Sequence, residues 1–362
     1  MTDYKCYAVF DENAAEDDKG IAVDFDYENG VFQTNISHEF PGTVGQSTST
    51  PVLAAPDGKN IYACGTYRRV SAMDTKTGKC KSTPYESENA PQAPILCLAE
   101  DGKALYQESS GYLLRIDTQT MKPKPVEGIS EIYSVITGLD QNLIYFTHAS
   151  PYGANNSYHV GSLDLTTGKV SPVYMSGLKN PSISGTRIAV AKTPDGPQLF
   201  ILVTHQKEYR QSKTGFIPCI SLAVFDLENN TTVYSEEVFY DIALPTYPGH
   251  RPIGLTPTPD GKHVYIVGST GKGTDSKCSV WIYDTQRKKI STSLPVGNNM
   301  GYNRIIAAPE GINKVYLSST ALDAQKSHTG FTAIDTVTRE VEDPADTPYP
   351  FPSFCFYPTP QD

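Results

Sequence analysis

Seven aspartates divide this chain into similar units: Asp26, Asp74, Asp117, Asp164, Asp226, Asp284 and Asp335. Each follows a short apolar run, such as Val70-Ser71-Ala72-Met73 or Leu222-Ala223-Val224-Phe225. Each precedes turn residues such as Thr75-Lys76-Thr77-Gly78-Lys79. An Asp at a strand end bonds the backbone two residues on and holds a turn. The repetition therefore has a structural cause, and no metal or acid–base role is expected for these carboxylates.

The fullest unit runs from His250 to Pro295 and reads as four strands. These are Ile253–Thr256, Val264–Val267, Ser279–Tyr283 and Ile290–Leu294, with the turn Pro259-Asp260-Gly261-Lys262 between the first two. Short runs rich in Val, Ile and Tyr, bounded by Asp-Gly, are strand and hairpin signals. The first turn recurs at Pro56-Asp57-Gly58-Lys59, Glu100-Asp101-Gly102-Lys103, Leu139-Asp140-Gln141-Asn142, Pro194-Asp195-Gly196 and Pro309-Glu310-Gly311. A unit repeating at this length predicts an all-β, seven-bladed β-propeller. The C-terminal stretch from Phe354 matches a first strand, and Cys6–Phe10 matches the second strand that follows it. The last blade is thus expected to be closed by the N- and C-terminal strands, giving one domain over residues 1–362.

Composition narrows the function. A net charge of −10 argues against nucleic-acid or anionic-membrane partners, which need a basic face. No apolar run approaches the roughly 18 residues of a membrane span. Met1 leads into a polar stretch without a signal-peptide pattern. Cytoplasmic and processed secretory forms both fit, and the sequons at Asn35, Asn155, Asn229 and Asn230 matter only in the second. The seven cysteines (Cys6, Cys64, Cys80, Cys97, Cys219, Cys278, Cys355) show no metal-type spacing. They read as small buried hydrophobes.

In a propeller, the turns joining first to second and third to fourth strands share one face, which here is short and regular. The opposite face carries long segments: 148–159, 205–218, 268–277, 319–330 and 240–252. A repeat protein that elaborates one face is expected to bind there. Histidines His148, His159, His205, His250 and His328 fall on it, with Tyr152, Tyr158, Tyr209, Arg210, Tyr247, Arg251, Tyr302 and Arg304. Gln46, Gln92, Tyr133, Ser182, Arg251 and Asn303 stand at first-strand entrances to the channel. Aromatic walls with a few convergent donors outline a small-molecule site. The catalytic candidates are His250, Arg251, Tyr302 and Arg304. The substrate-binding candidates are Gln92, Tyr133, His148, Tyr152, His205, Tyr209, Tyr247, Asn303 and His328. Each has a plainer reading: a loop histidine as solvated surface, Arg251 paired with Asp241, the tyrosines as blade covers.

No metal or cofactor is expected, since no histidine spacing supports a metal site. Gly268–Gly273 resembles a phosphate loop but lacks the following helix. No GxSxG elbow is present, which disfavours a covalent hydrolase.

The PDGK-type turn, the Val-Tyr strand and the following Asp-Thr strand resemble the YVTN and lactonase-like class of seven-bladed propellers over the whole chain. The chain lacks the histidine-bearing motif ahead of each turn, and only His250-Arg251-Pro252 is similar to one. In length, blade layout and Tyr/His-rich upper loops it is also similar to the fungal hetero-Diels-Alderases of tropolone sesquiterpenoid biosynthesis. No short signature carries that likeness, so no residue role is transferred by it. It implies cofactor-free cyclisation joining a quinone methide to a terpene alkene, with small apolar or aromatic substrates as partners. A metal-dependent lactonase and a noncatalytic interaction scaffold are the alternatives.

Overall fold

The computed structural model describes residues 3–11, 19–41, 52–64, 69–84, 96–109, 111–130, 132–148, 160–174, 188–208, 216–240, 252–270, 277–298, 300–321, 329–343, 345–347 and 353–359. They form seven antiparallel four-stranded sheets. Three strands of the closing blade come from the N-terminus: Tyr4–Asp11 (β1), Lys19–Asp26 (β2) and Val31–Pro41 (β3). Blade 1 comprises Val52–Ala54, Asn60–Cys64, Val70–Asp74 and Cys80–Ser82 (β4 to β7). Blade 2 comprises Leu96–Ala99, Ala104–Ser109, Tyr112–Asp117 and Pro123–Pro125 (β8 to β11). Blade 3 comprises Ile132–Thr137, Leu143–His148, Val160–Asp164 and Val170–Tyr174 (β12 to β15). Blade 4 comprises Ile188–Thr193, Gly196–Glu208, Phe216–Asp226 and Thr231–Tyr240 (β16 to β19). Blade 5 comprises Pro252–Pro257, His263–Thr270, Lys277–Asp284 and Lys289–Asn298 (β20 to β23). Blade 6 comprises Met300–Ala307, Lys314–Ala321, Thr329–Asp335 and Ala345–Asp346 (β24 to β27). The C-terminal strand Ser353–Pro358 (β28) then pairs with β1, placing Cys355 opposite Tyr7 and Ser353 opposite Val9. The chain is a seven-bladed propeller closed by its two terminal strands.

All seven third strands end on the repeated aspartate. The carboxylate accepts from the backbone N–H groups two and three residues on, as Asp117 does from Gln119 and Thr120 at 3.1 and 2.8 Å. At Asp284 the N–H of Arg287 donates at 2.8 Å. The residue four places after each aspartate is left-handed. Three of these are glycines; the others are Met121, Asn230, Lys288 and Arg339, with φ of 56°, 54°, 50° and 64°. The closed turn thus imposes a conformation that Lys and Arg disfavour.

The two turns at the base of a blade are also tied together. The N–H of Thr75 donates to the Lys59 carbonyl at 2.9 Å, and Thr285 repeats this towards Lys262 at 3.0 Å. The hydroxyls of Thr75 and Thr285 add bonds to the Gly58 and Gly261 carbonyls at 2.7 and 2.9 Å. Gly58 and Gly261 have φ of 70° and 66°, and a Cβ on either would run into the preceding blade: the Pro358 carbonyl and the Lys192 carbonyl. The PDGK turn requires glycine for its own shape and for blade-to-blade contact.

Seven apolar clusters fill the seams, one between each pair of neighbouring blades. An aromatic residue at one position of every second strand packs into them: Tyr7, Tyr62, Tyr106, Tyr145, Phe200, Tyr265 and Tyr316, none more than 5% exposed. The seam between blade 6 and the closing blade is the most aromatic. There Phe25 lies edge-on to Phe331 and Tyr316 at centroid distances of 5.3 and 5.9 Å. Cys6, Cys64, Cys97, Cys278 and Cys355 are buried, as expected of small hydrophobes, whereas Cys80 is half-buried. Burial pushes the Cys97 and Cys355 thiols up to about 12.

One loop expectation needs correction. Both ends of the segment 205–218 are strand, because β17 and β18 keep pairing until Glu208 faces Phe216; residues 209–215 lie outside the described residues. Thr204 and the Phe216-Ile217 pair are good strand formers and extend the ladder. The second strands of blades 5 and 6 likewise run on to Thr270 and Ala321. Among the described residues, no helix is long and apolar enough to cross a membrane.

Two outcomes follow from the turn geometry. Backbone N–H groups of Thr120, Thr167 and Thr338 chiefly hold Asp117, Asp164 and Asp335 below the usual carboxylate range. The side-chain amides of Asn29 and Asn229 chiefly do so for Asp26 and Asp226. A depressed folded pKa gives stability that is present above the unfolded value and lost as pH falls through the folded one. The melting temperature should therefore fall below about pH 4, as a pH series of thermal melts will show. Arg339→Gly should stabilise the protein by roughly 1 kcal/mol by relieving the left-handed backbone, measured as a raised denaturant midpoint. Asn230→Gly should change it less, since Asn tolerates this conformation.

Candidate functional site

The seven first strands lie innermost, with β12 against β8 and β16, β20 against β24, and β28 against β4. Their sequences are VLA, LCLA, IYSVIT, IAVAKT, PIGLTP, MGYNRIIA and SFCFYP, without one Asp or Glu. Their charged residues are Lys192, exposed beside the tight turn of blade 4, and Arg304. Leu53, Leu98, Ile136, Val190, Ile306 and Phe356 leave partly buried aliphatic and aromatic surface along these strands. Neighbouring first strands are stitched by side-chain hydroxyls: Thr137 donates to the Leu98 carbonyl, and Thr256 Oγ1 accepts from the Ala307 N–H. The described first strands are mostly apolar, and neutral hydrogen bonds tie neighbouring ones together.

Towards the long-loop face, three first strands carry a β-bulge at the same place. In β12 the register steps from Ile132–His148 to Ser134–Thr147, leaving Tyr133 as the extra residue. In β20 the extra residue is Ile253, and in β24 it is Asn303. A bulge bends its strand and resets the alternation of side chains. In β12, Ile132 and Val135 consequently share the cluster between blades 2 and 3 although they stand three positions apart, an odd offset that would put them on opposite faces of a regular strand. Bulges gather at sheet rims and beside functional sites.

Of the residues singled out from the sequence, the structure brings two groups to this end of the first strands. Tyr302, Asn303 and Arg304 follow one another on β24, with Tyr302 opposite Ser319 and Arg304 opposite Ser318. Tyr133 sits in the β12 bulge, and His148, the last residue of β13, faces Ile132. His205 is a strand residue of β17 opposite Cys219, in the extended hairpin of blade 4. Gln46, Gln92, Tyr152, His159, Ser182, Tyr209, Tyr247, His250, Arg251 and His328 lie outside the described residues. Sequence reading missed Ile253, which looks like an ordinary strand residue, and the hydroxyl pair Ser134 and Thr147. The signal for the bulges was present as the broken alternation around Tyr133.

The donor set for a channel-bound divalent cation is missing from the first strands, which offer no carboxylate. Among the described residues, no three His, Cys, Asp or Glu side chains converge to hold a metal. Of the Gly268–Gly273 stretch, residues 268–270 end strand β21 and the rest lies outside the described residues.

No family model matches the chain, and no curated protein matches it. Solved structures do. Apo AztD from Citrobacter koseri superimposes with a TM-score of 0.54 at 13% identity, covering 100% of both chains. An oligogalacturonate lyase from Vibrio parahaemolyticus gives 0.54 at 11% identity over 94% of this chain and 93% of its own. The dihydro-heme d1 dehydrogenase NirN gives 0.56 at 13% identity over 98% of this chain and 75% of its own. At such identities the likeness carries the fold. The same architecture serves two proteins named as enzymes and one that is not, so function rests on the site.

Proposed function

We propose that this propeller is a cofactor-free cyclisation enzyme, of the hetero-Diels-Alderase kind, acting on apolar or aromatic substrates at the long-loop mouth of its channel. The observation that carries this reading is the distribution of chemistry along the first strands: an apolar, carboxylate-free wall, with Tyr133, Tyr302, Asn303 and Arg304 grouped at one end. Such a wall suits two apolar partners, a quinone methide and a terpene alkene. Holding them together removes much of the entropic cost of a bimolecular addition. A donor at the mouth polarises the ketone oxygen of the quinone methide as charge develops on it, and Arg304, Tyr302, Arg251 and His250 are the residues for that task. His250 or Tyr302 serves as general acid for the loss of water that generates the quinone methide. The remaining substrate contacts fall to Gln92, Tyr133, His148, Tyr152, His205, Tyr209, Tyr247, Asn303 and His328.

The metal-dependent lactonase reading needs carboxylate ligands that the first strands lack. A scaffold would be served by two uniform faces, whereas here one is tight and the other elaborated.

The test supplies a quinone-methide precursor and a terpene alkene, with adduct followed by liquid chromatography and mass spectrometry, with and without chelator. Expected are adduct formation above background, no change on chelation, and a loss of roughly 100-fold or more for Arg304→Ala. Activity abolished by chelator and restored by calcium would contradict the reading, as would adduct formation no faster than without protein.

A further inference from the structure

The mouth end of blade 3 holds two hydroxyls without a hydrogen-bond partner among the described residues. Ser134 on β12 and Thr147 on β13 are register partners immediately beside the Tyr133 bulge. Both are 0% exposed, and neither Ser134 Oγ nor Thr147 Oγ1 has a hydrogen-bond partner. Opposed residues of an antiparallel pair project from the same face of the sheet. Their chain neighbours Val135 and Phe146 pack in the seam with blade 2. Ile136 and Tyr145 pack in the seam with blade 4. Alternation therefore puts Ser134 and Thr147 on the blade 4 side. The blade 4 residues of that seam include Ile188, Ile201 and Val203, which have no side-chain group to offer a hydroxyl.

Buried hydroxyls are almost always paired, and an unpaired one costs free energy comparable to a lost hydrogen bond. Two such groups facing each other across one ladder point to a shared partner. It must be small, because the site is closed to solvent, and able both to donate and to accept.

We propose that Ser134 and Thr147 bind one internal water in the seam between blades 3 and 4. A buried water typically makes about three hydrogen bonds. The two hydroxyls supply two, and the backbone that the bulge at Tyr133 releases from the ladder supplies the third. The water is then part of the device that holds the bulge at the channel mouth. This inference stands whether or not the protein is a cyclase.

The experiment is a double-mutant cycle on the full chain: Ser134→Ala, Thr147→Val and the pair together, read by thermal melting and by amide exchange at Tyr133 and Ser134. Each single variant strands one hydroxyl and loosens the water. It should lower the melting temperature by about 2 °C or more and speed exchange at the bulge. The double variant removes both polar groups and should lose clearly less than the sum of the singles. Single variants that raise the melting temperature additively, or leave it unchanged, would overturn the proposal. A high-resolution crystal structure should show an ordered water within hydrogen-bond distance of both hydroxyls, and a dry seam there would also refute it.

Discussion

In six of the seven blades the peptide N–H that follows the third-strand aspartate donates to a carbonyl of the same blade's first turn, and the rest of the structure is arranged around that bond. It recurs from Thr75 to Lys59, Thr118 to Lys103, Leu165 to Asn142, Leu227 to Pro197, Thr285 to Lys262 and Thr336 to Asn313. The aspartate closes one turn, the N–H ties it to the other, and glycines such as Gly58 and Gly261 press the pair onto the preceding blade. Buried aromatic residues on the second strands then fill the seams above. The constraint is strong enough to hold Met121, Lys288 and Arg339 in a left-handed backbone that their side chains disfavour.

A face tied in this way has little freedom to vary, and departures from the repeat fall at the other end of the strands. There the ladders lose their regularity. The first strands of blades 3, 5 and 6 bulge at Tyr133, Ile253 and Asn303, and the hairpin of blade 4 runs on past His205. The described first strands leading to that end carry no carboxylate.

The architecture was legible because its signals are local and repeated. An Asp at a strand end and a Pro-Asp-Gly turn each have a direct physical cause, and the terminal strands could be matched to the repeat by pattern alone. Strand ends were less legible: Thr204 to Glu208 pair with Phe216 to Ile220 because the hairpin can continue, not because any residue there marks a boundary. The left-handed position four residues after the aspartate escaped notice where Met121, Lys288 or Arg339 fills it, since these are not turn residues. Ile253 was invisible as a bulge within an apolar run. Tyr302, Asn303 and Arg304 were singled out because polar residues stand out at a first-strand entrance. The histidine-rich loop residues, His250 and Arg251 foremost, were read from composition and loop position, which say nothing about where side chains converge.

Amide hydrogen exchange on the intact protein tests most directly whether the turn face is a fixed frame. The account predicts that the N–H groups of Thr75, Thr118, Leu165, Leu227, Thr285 and Thr336 exchange as slowly as central second-strand amides such as those of Tyr62 and Tyr265. Exchange at those turn positions near the rate of an unstructured peptide would show that the two turns open independently. The bond on which the account rests would then not organise the blades.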